Sequence, residues 1–380
     1  MRSFSRGILA LLLVSGILLI SDLQNRNRKS DLQKQAELDS VAGPDSGIIT
    51  GINLDTAVQT KALQTTEAVK PTLSSPLPKG KKFKLCLAHY VDSPNSEECE
   101  KGIRKALKDI NLVEGRNFTL KVFNAQGDIS TLNSIAESIG NEDWDLVFAI
   151  STPCVQLLAK KLQRNKIVFT NVGDPVAAGL GKSFDKHLPH LCGISTMSDF
   201  DGLLRLVKML HPGFKRIGTV YTPAEINSVS YKDKLAQAAS RHGLKLVAVP
   251  ANAATEVLDA ANSLVAQQID AFCQISDNLT GSCSAAILKA AGDAKVPYYG
   301  FVSGQMKQGA IAVCARDYFQ AGYDAGEMGI EVLGGKKPGS IPYRFVQKTD
   351  FMMNTTVARA YSITIPQKVY NSFPQLAISH

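Results

Sequence analysis

The chain has 380 residues, of which 44% are hydrophobic and 20% are charged, and its formal net charge is +8. These proportions are ordinary for a globular protein, and the length predicts two domains or slightly more. The basic residues are scattered apart from the run KGKKFK at 79–84. No aromatic interleaving or recognition helix accompanies that run, so the sequence disfavours a nucleic-acid-binding protein.

The first 21 residues combine two arginines with an apolar run from Ile8 to Ile20. A run of roughly 13 apolar residues is typical of a signal-peptide core and is short for a membrane-spanning helix. No A-x-A cleavage site follows, so residues 1–21 are predicted to be either a signal peptide or an uncleaved membrane anchor. Both alternatives predict an exported protein, periplasmic or on the outer face of the cytoplasmic membrane. The second adds membrane association through residues 8–20.

Residues 22–82 are rich in Gln, Ser, Thr and Asp with scattered prolines, and they lack a sustained apolar period. This composition predicts a disordered tether. Folded sequence is expected from residue 83, where a series of strand-like apolar runs begins. In chain order these runs are KLCLAH, FTLKVF, DLVFAI, KIVFT, RIGTVY, KLVAV, DAFCQIS, VPYYGF and AIAVCA.

Amphipathic helical patterns separate these runs, as where Ile103, Leu107 and Ile110 recur at helical spacing. Strands that read as continuous apolar runs between helices predict parallel sheets covered on both faces. Because the strands are too many for one small sheet, the predicted fold class is α/β with two doubly wound parallel-sheet lobes. In such sheets a ligand binds beyond the carboxyl ends of the strands, and these ends are dense in Ser, Thr, Asn, Asp and Glu.

Sequence patterns typical of catalysis and metal binding are absent. The seven cysteines form no C-x-x-C pair, which gives no support to a zinc site. The segment AAGLGKS lacks the first glycine of a phosphate-binding loop, because that position is Val176. No G-x-S-x-G nucleophile elbow occurs. We therefore expect a protein that is not an enzyme, without catalytic residues, metal or cofactor.

The stretch FAISTPCVQ at 148–156 ends an apolar strand in two hydroxyl residues and then opens a helix at Pro153. One explanation is structural, because Thr before Pro is a good start for a helix. The other is functional, because a helix N-terminus behind two hydroxyls is suited to an anion such as a carboxylate. The residues alone leave both explanations open.

The polar strand ends resemble those of the ABC-transporter substrate-binding proteins of the aromatic amino-acid (TrpX-like) family, which have the type I periplasmic-binding-protein fold. STPCVQLLA resembles that family's T-P-x-x-Q segment, and FTNVGDPVAAGL is similar to its V-x-D-P-V-x-x-G-L loop. RIGTVYTPAEINS resembles its I-G-x-x-Y-N-x-x-E-x-N-S stretch, and QISDNLTGS falls on its T-D-N segment. The matching segments run in order from residue 83 to residue 370.

The resemblance implies two lobes that are joined by a three-segment hinge and close on a ligand. It places residues 83–195 and 312–336 in an N-terminal lobe. It places residues 196–311 and 337–380 in a C-terminal lobe.

The resemblance also implies a small-molecule site between the lobes, and we expect an amino acid there, with an aromatic side chain. Ser151 and Thr152, together with the helix N-terminus, would hold the ligand carboxylate. Asp277 and Glu225, from the other lobe, would hold its ammonium group through charge-assisted hydrogen bonds.

Further ligand contacts are expected from neutral and aromatic side chains. Polar contacts would come from Asn227, Ser228 and Asn278. Tyr90 and Tyr221 would wall an aromatic side chain by offset stacking. Asp174 either contacts the ligand or only shapes the turn before Pro175.

Two functions stay open on the sequence. The first is an extracytoplasmic solute-binding protein of an ABC importer, which delivers its ligand to a permease that works with ATPase subunits. The alternative is a membrane-tethered receptor subunit that signals ligand occupancy to a partner protein. The long tether and the missing cleavage site favour the alternative slightly more than in a typical family member.

Overall fold

The computed structural model describes residues 77–78 and 80–379 of the chain. The predicted signal peptide or anchor at 1–21 lies outside the described residues, as does most of the predicted tether. Leu77, near the end of that tether, packs against a hydrophobic core of the folded part. In the part of the chain that is described, no helix has the length and apolar character to cross a bilayer.

The described residues contain two sheets. Their strands are β1 (Phe83–His89), β2 (Phe118–Asn124), β3 (Leu146–Ile150), β4 (Ile167–Val172), β5 (Leu191–Ser195), β6 (Arg216–Tyr221), β7 (Lys245–Pro250), β8 (Ala271–Gln274), β9 (Tyr298–Gly300), β10 (Ala312–Arg316), β11 (Arg344–Phe345), β12 (Thr349–Asn354) and β13 (Ala377–Ser379). The first sheet has the order β11-β5-β4-β3-β1-β2 and the second has the order β13-β12-β10-β9-β8-β6-β7. Every pairing is parallel except that of β10 with β12.

Helices cover both faces of both sheets. They are α1 (Pro94–Asp109), α2 (Ile129–Gly140), α3 (Thr152–Lys161), α4 (Phe200–Leu210), α5 (Ile226–Arg241), α6 (Val257–Ala266), α7 (Asn278–Ser282), α8 (Ser284–Asp293), α9 (Tyr318–Leu333), α10 (Thr355–Ala360) and α11 (Gln367–Ser372). This alternation of parallel strands and helices confirms the predicted α/β fold class with two parallel-sheet lobes.

Strand β1 shows why the strands read as continuous apolar runs. Leu85 and Leu87 are buried in the core on one face of the first sheet, whereas Cys86 and Ala88 are buried in the core on the other face. Successive side chains of a strand point to opposite faces. A strand that is covered on both faces therefore has no solvent side and shows no polar alternation.

The same strand order occurs in both lobes and fixes where a ligand can bind. Read from one edge, the first sheet runs β2-β1-β3-β4-β5 and the second runs β7-β6-β8-β9-β10. In this doubly wound order, the strand that follows β1 or β6 in the chain lies on one side of it, and the next strand lies on its other side. At that reversal a crevice opens beyond the carboxyl ends of two neighbouring strands. These strands are β1 and β3 in the first lobe and β6 and β8 in the second.

The second and third crossings between the lobes differ from the sequence-based expectation. The resemblance implies that residues 312–336 belong to the first lobe, but β10 belongs to the second sheet and only the helix after it, α9, packs on the first lobe. It also implies that residues 337–380 belong to the second lobe, but β11 pairs with β5 of the first sheet. The crossings therefore lie at Asp317 and at residues 346–348. An apolar run shows that a strand is buried but does not show which sheet it joins.

The three crossing segments are bonded to one another. The Arg316 guanidinium donates through Nε to the Met197 carbonyl oxygen at 2.6 Å, and it also donates to the Thr349 hydroxyl. The Lys348 Nζ lies 2.6 Å from Asp317 Oδ2. These bonds join the segments into one hinge at which the two lobes meet.

Candidate functional site

A cavity of about 280 Å³ lies between the two lobes at the predicted crevice; it is called the first cavity below. Its wall includes five of the residues predicted from sequence, namely Ser151, Thr152, Asn227, Asp277 and Asn278. The first two follow β3, Asp277 and Asn278 stand at the start of α7 after β8, and Asn227 lies in the first turn of α5 after β6. Strand ends that are distant in sequence thus meet at one place.

Ser151 occupies a strained position between β3 and α3. Its φ angle is 82°, in the left-handed region that non-glycine residues rarely adopt. Its side chain does not cap the helix, and its Oγ is buried without a hydrogen-bond partner within the described residues. Because the N-terminus of a ten-residue helix carries partial positive charge, this junction is suited to a carboxylate.

Asp277 is a buried carboxyl on the opposite wall. Its Oδ1 accepts hydrogen bonds from the backbone N–H and the hydroxyl of Thr280, both at 2.6 Å, and its Oδ2 accepts from the Ser228 hydroxyl at 2.6 Å. Burial, and next the negative charge of Glu225, raise the pKa of Asp277 to about 7. A cation in the cavity would favour the ionised carboxylate.

The charged residues that line the first cavity are two aspartates, Asp277 and the more exposed Asp92. None of its lining residues is a lysine, an arginine or a histidine. The described residues contain no group of three or more histidine, cysteine or acidic side chains placed to hold a metal ion. A carboxylate that is buried without a basic partner is best matched by a cationic group of a ligand.

Glu225 supports the site from behind its wall. Its Oε2 accepts from the backbone N–H and the side-chain amide of Asn278 at 3.0 and 2.6 Å, and from the Asn227 amide at 3.1 Å. Both of these amides line the first cavity, whereas Glu225 lines a neighbouring one. The Asn227 Oδ1 is left buried and unpaired among the described groups.

The other predicted residues lie outside the first cavity. Ser228 is buried behind Asp277 and bonds it, while its Oγ accepts from the Thr222 backbone N–H at 2.8 Å. Asp174 accepts from the Ala177 backbone N–H at 3.0 Å and from the Ser230 hydroxyl at 3.1 Å, so it shapes its turn and reaches the other lobe.

The aromatic wall differs from the one expected from sequence. Tyr90 lines the neighbouring cavity, where its hydroxyl donates to the Gly127 carbonyl oxygen at 2.5 Å. Tyr221 lines neither cavity, and its ring lies 5.0 Å from the Lys232 Nζ. The aromatic residues of the first cavity are instead Tyr231 and Tyr318.

Sequence reasoning could have found Tyr231 but not its contact across the lobes. It lies four residues after Asn227 on α5, and this spacing places both on one helix face. Its ring approaches the backbone of the first lobe so closely that a Cβ on Gly173 would lie 2.1 Å from the tyrosine oxygen. Only a glycine at 173 permits this approach.

Several other residues that line the first cavity were not named individually in the sequence-based prediction. They are Asp92, Ser93, Asn95, Asn171, Ser276 and Gln305. Most lie in the polar segments after strands, which the sequence marks as a group but cannot rank one by one. Asn95 and Ser276 come from different lobes, and Asn95 Nδ2 lies 3.5 Å from Ser276 Oγ.

Comparison with protein families gives a match over residues 84–375 to the family described as ABC transporter substrate binding protein. Among curated proteins, the chain is 36% identical over 274 residues to a tyrosine-binding protein of Clostridioides difficile. That alignment covers 72% of this chain and 79% of the relative.

Solved structures show the same architecture. A conserved domain protein from Vibrio cholerae superposes with a TM-score of 0.74 at 31% identity, covering 79% of this chain and 100% of that one. A ligand-free, open substrate-binding protein with adhesive properties from Clostridium difficile gives a TM-score of 0.62 at 31% identity, over 78% and 99% of the two chains. A Streptococcus pneumonia ABC domain in complex with L-Trp gives 0.72 at 24% identity, over 77% and 99%, which supports the fold alone.

Proposed function

Since the chain belongs to the family of ABC transporter substrate-binding proteins, we propose that it binds an amino acid with an aromatic side chain in the first cavity and delivers it to an ABC permease. The observation that carries the proposal is that two groups line the same cavity: the buried carboxyl of Asp277, and the Ser151 hydroxyl, which has no hydrogen-bond partner, at a helix N-terminus. Together they suit the ammonium group and the carboxylate of an amino acid.

The polar groups divide between the two ends of such a ligand. Ser151 and Thr152 at the start of α3 bind its carboxylate, and Asp277 binds its ammonium group. The side-chain amides of Asn227 and Asn278, held by Glu225, provide neutral contacts beside the ammonium group. Ser228 acts through Asp277, whose carboxyl it orients.

The size and aromatic lining of the cavity support an aromatic amino acid. Its volume of about 280 Å³ is close to the lower limit of roughly 300 Å³ for small-molecule sites, which favours a single amino acid over a larger ligand. Tyr231 and Tyr318 provide rings against which an aromatic side chain stacks or packs edge-to-face. The relative named for tyrosine binding supports the same ligand class.

The proposed setting is outside the cytoplasmic membrane, where substrate-binding proteins of ABC importers work. The closed lobes dock on a permease whose ATPase subunits drive uptake. Residues 8–20 serve either as an export signal or as an anchor in this proposal.

Thermal unfolding of the full chain against a ligand panel tests the proposal. A ligand at 100 times its Kd adds roughly 2.7 kcal/mol to the free energy of unfolding. We expect Trp, Tyr or Phe to raise the Tm, and leucine, lysine and glucose to leave it unchanged. Asp277→Asn, which keeps the helix cap, should remove the shift.

The matched control is Asp259→Asn, an exposed carboxyl on α6 that lines neither cavity. This variant should keep the full shift in Tm. A panel in which sugars or nucleosides raise the Tm and amino acids do not would contradict the proposed ligand class while leaving the fold intact.

A further inference from the structure

We propose that the cavity beside the first one is a separate binding site for a small organic ammonium compound with an apolar body. This second cavity has a volume of about 480 Å³ and lies between the lobes. Tyr90, Pro153 and Leu157 line it from the first lobe, and Thr222, Glu225 and Leu279 line it from the second. An occupant therefore contacts both lobes at once.

Among the described residues, the carboxylate in the second cavity has no cationic partner. Glu225 is 8% exposed and forms no ion pair within the described residues. Its Oε1 accepts one hydrogen bond, from the Leu279 backbone N–H at 3.1 Å, whereas its Oε2 accepts three. Because a carboxylate oxygen can accept more than one hydrogen bond, Oε1 keeps capacity for an N–H donor of a ligand.

A second, independent feature of this wall is an unpaired hydroxyl. Thr222 lines the second cavity and is 4% exposed, and its Oγ1 has no hydrogen-bond partner among the described groups. A buried polar group without a partner costs about 1–3 kcal/mol. A ligand N–H that reaches Oγ1 as well as Glu225 removes that cost.

The remaining wall defines the body of the ligand. Ile129 and Ile226, one from each lobe, are exposed hydrophobic side chains on this cavity, and Leu157 and Leu279 also line it. An apolar ligand body that covers these side chains removes their surface from water, which stabilises the complex through the hydrophobic effect. Lys160 is exposed and is the basic lining residue, so both simple amines and zwitterions with an apolar body are candidates.

Glu225 couples this site to the first cavity. The same carboxylate that faces the second cavity holds the Asn227 and Asn278 amides of the first. The charge of Glu225 also helps to raise the pKa of Asp277. A cation beside Glu225 offsets that charge and thereby favours ionised Asp277. If the proposed function holds, the occupant should tighten binding of the amino acid.

Calorimetric titration of the full-length chain with phenethylamine tests the second site without needing an amino acid. We expect one binding event in the wild type and in Asp277→Asn. Thr222→Val, which keeps the side-chain shape, should weaken binding about three- to tenfold through one lost hydrogen bond. Ala224→Trp, at an exposed position on the cavity mouth, should abolish binding.

Two comparisons make the result specific. Val113→Trp adds the same bulk at an exposed position that lines neither interlobe cavity and should bind phenethylamine like the wild type. 3-Phenylpropionate, which lacks the ammonium group, should not bind.

The proposal is overturned if phenethylamine does not bind the wild type. It is also overturned if Asp277→Asn removes the binding while Thr222→Val and Ala224→Trp leave it unchanged, since the amine would then occupy the first cavity. Loss of amino-acid binding in Asp277→Asn together with retained amine binding would support the two sites separately.

Discussion

At the scale of single residues, two buried carboxyls that accept hydrogen bonds from the first residues of α7 have different surroundings and therefore different roles. Asp277 accepts from the hydroxyls of Ser228 and Thr280 and lines the first cavity. Glu225 accepts mainly from amides and lines the second cavity. The family resemblance implies that both carboxyls bind the ammonium group of one ligand, but only Asp277 lines the first cavity.

The raised pKa of Asp277 predicts a pH-dependent affinity for a ligand with an ammonium group. Below about 7 the folded protein holds a proton on this carboxyl that ligand binding must release. The affinity should therefore rise with pH, by up to tenfold per unit below about pH 7, and become constant above it. Calorimetry in buffers of different ionisation enthalpy measures the released proton.

In the ligand-free protein, the same carboxyl makes the free energy of unfolding fall with pH, whereas the ligand affinity rises. The unfolded chain releases the Asp277 proton near pH 4 and the folded chain near pH 7, so between these values the folded state binds more protons. The free energy of unfolding should therefore fall as pH rises through that window. Asp277→Asn should flatten this stability profile. A wild-type affinity that does not change between pH 5 and 7 would contradict the assignment.

At the scale of elements, the packing of α9 on α1 joins a helix that follows the second sheet to the first lobe. The two helices touch through glycines. A Cβ on Gly322 would lie 2.0 Å from the Cys99 carbonyl oxygen, and one on Gly102 would lie 2.1 Å from that of Phe319. The close backbone contact fixes α9, and with it Tyr318, against the first lobe.

We expect Gly322→Ala to destabilise the protein by about 1–3 kcal/mol, because the added methyl group must push two backbones apart. The Tm should fall by several degrees in a thermal melt. Gly292→Ala is the matched control: Gly292 is exposed on α8, and nothing lies within 4 Å of an added Cβ. That substitution should raise the stability by about 0.5–1 kcal/mol, and an equal loss in both variants would refute the packing argument.

At the scale of the whole molecule, the two lobes also contact each other outside the first cavity. Asp174, after β4 of the first lobe, lies 3.2 Å from the Lys234 Nζ on α5 of the second and also accepts from Ser230. Asp174 does not line the first cavity. Its contacts instead join the two lobes, and in a protein that closes over a ligand such contacts shift the balance between open and closed forms.

Lys234→Ala should therefore weaken ligand binding without altering any group in the first cavity. The ion pair is partly exposed and worth at most about 1 kcal/mol, so we expect up to a fivefold loss of affinity, mainly through faster ligand release. Stopped-flow measurement of the release rate, at low and high salt, tests this.

Lys232→Ala is the control for this contact, because Lys232 pairs with Asp233 on its own helix and does not reach the first lobe. This variant should release the ligand at the wild-type rate. An unchanged release rate in Lys234→Ala would show that the Asp174 contact does not stabilise closure.

The sequence by itself determined the alternation of buried parallel strands and helices, and it located the polar segments that line the first cavity. Apolar runs such as those of β1 and β3 are long because both faces of a parallel sheet are covered. Ser151, Thr152, Asn227, Asp277 and Asn278 lie in polar segments after strands, where doubly wound sheets bind ligands. The family resemblance singled them out within those segments. Their contact with a ligand stays a prediction.

Only the tertiary structure decided which distant segments meet. It placed β10 in the second sheet and α9 on the first lobe, brought Tyr231 and Tyr318 instead of Tyr90 and Tyr221 to the first cavity, and separated Glu225 from Asp277 into two cavities. The physical reason is that periodicity and turn chemistry record the surroundings of a residue along its own element. Which sheet a strand joins, and which cavity a side chain lines, depends on packing between elements that are far apart in the chain.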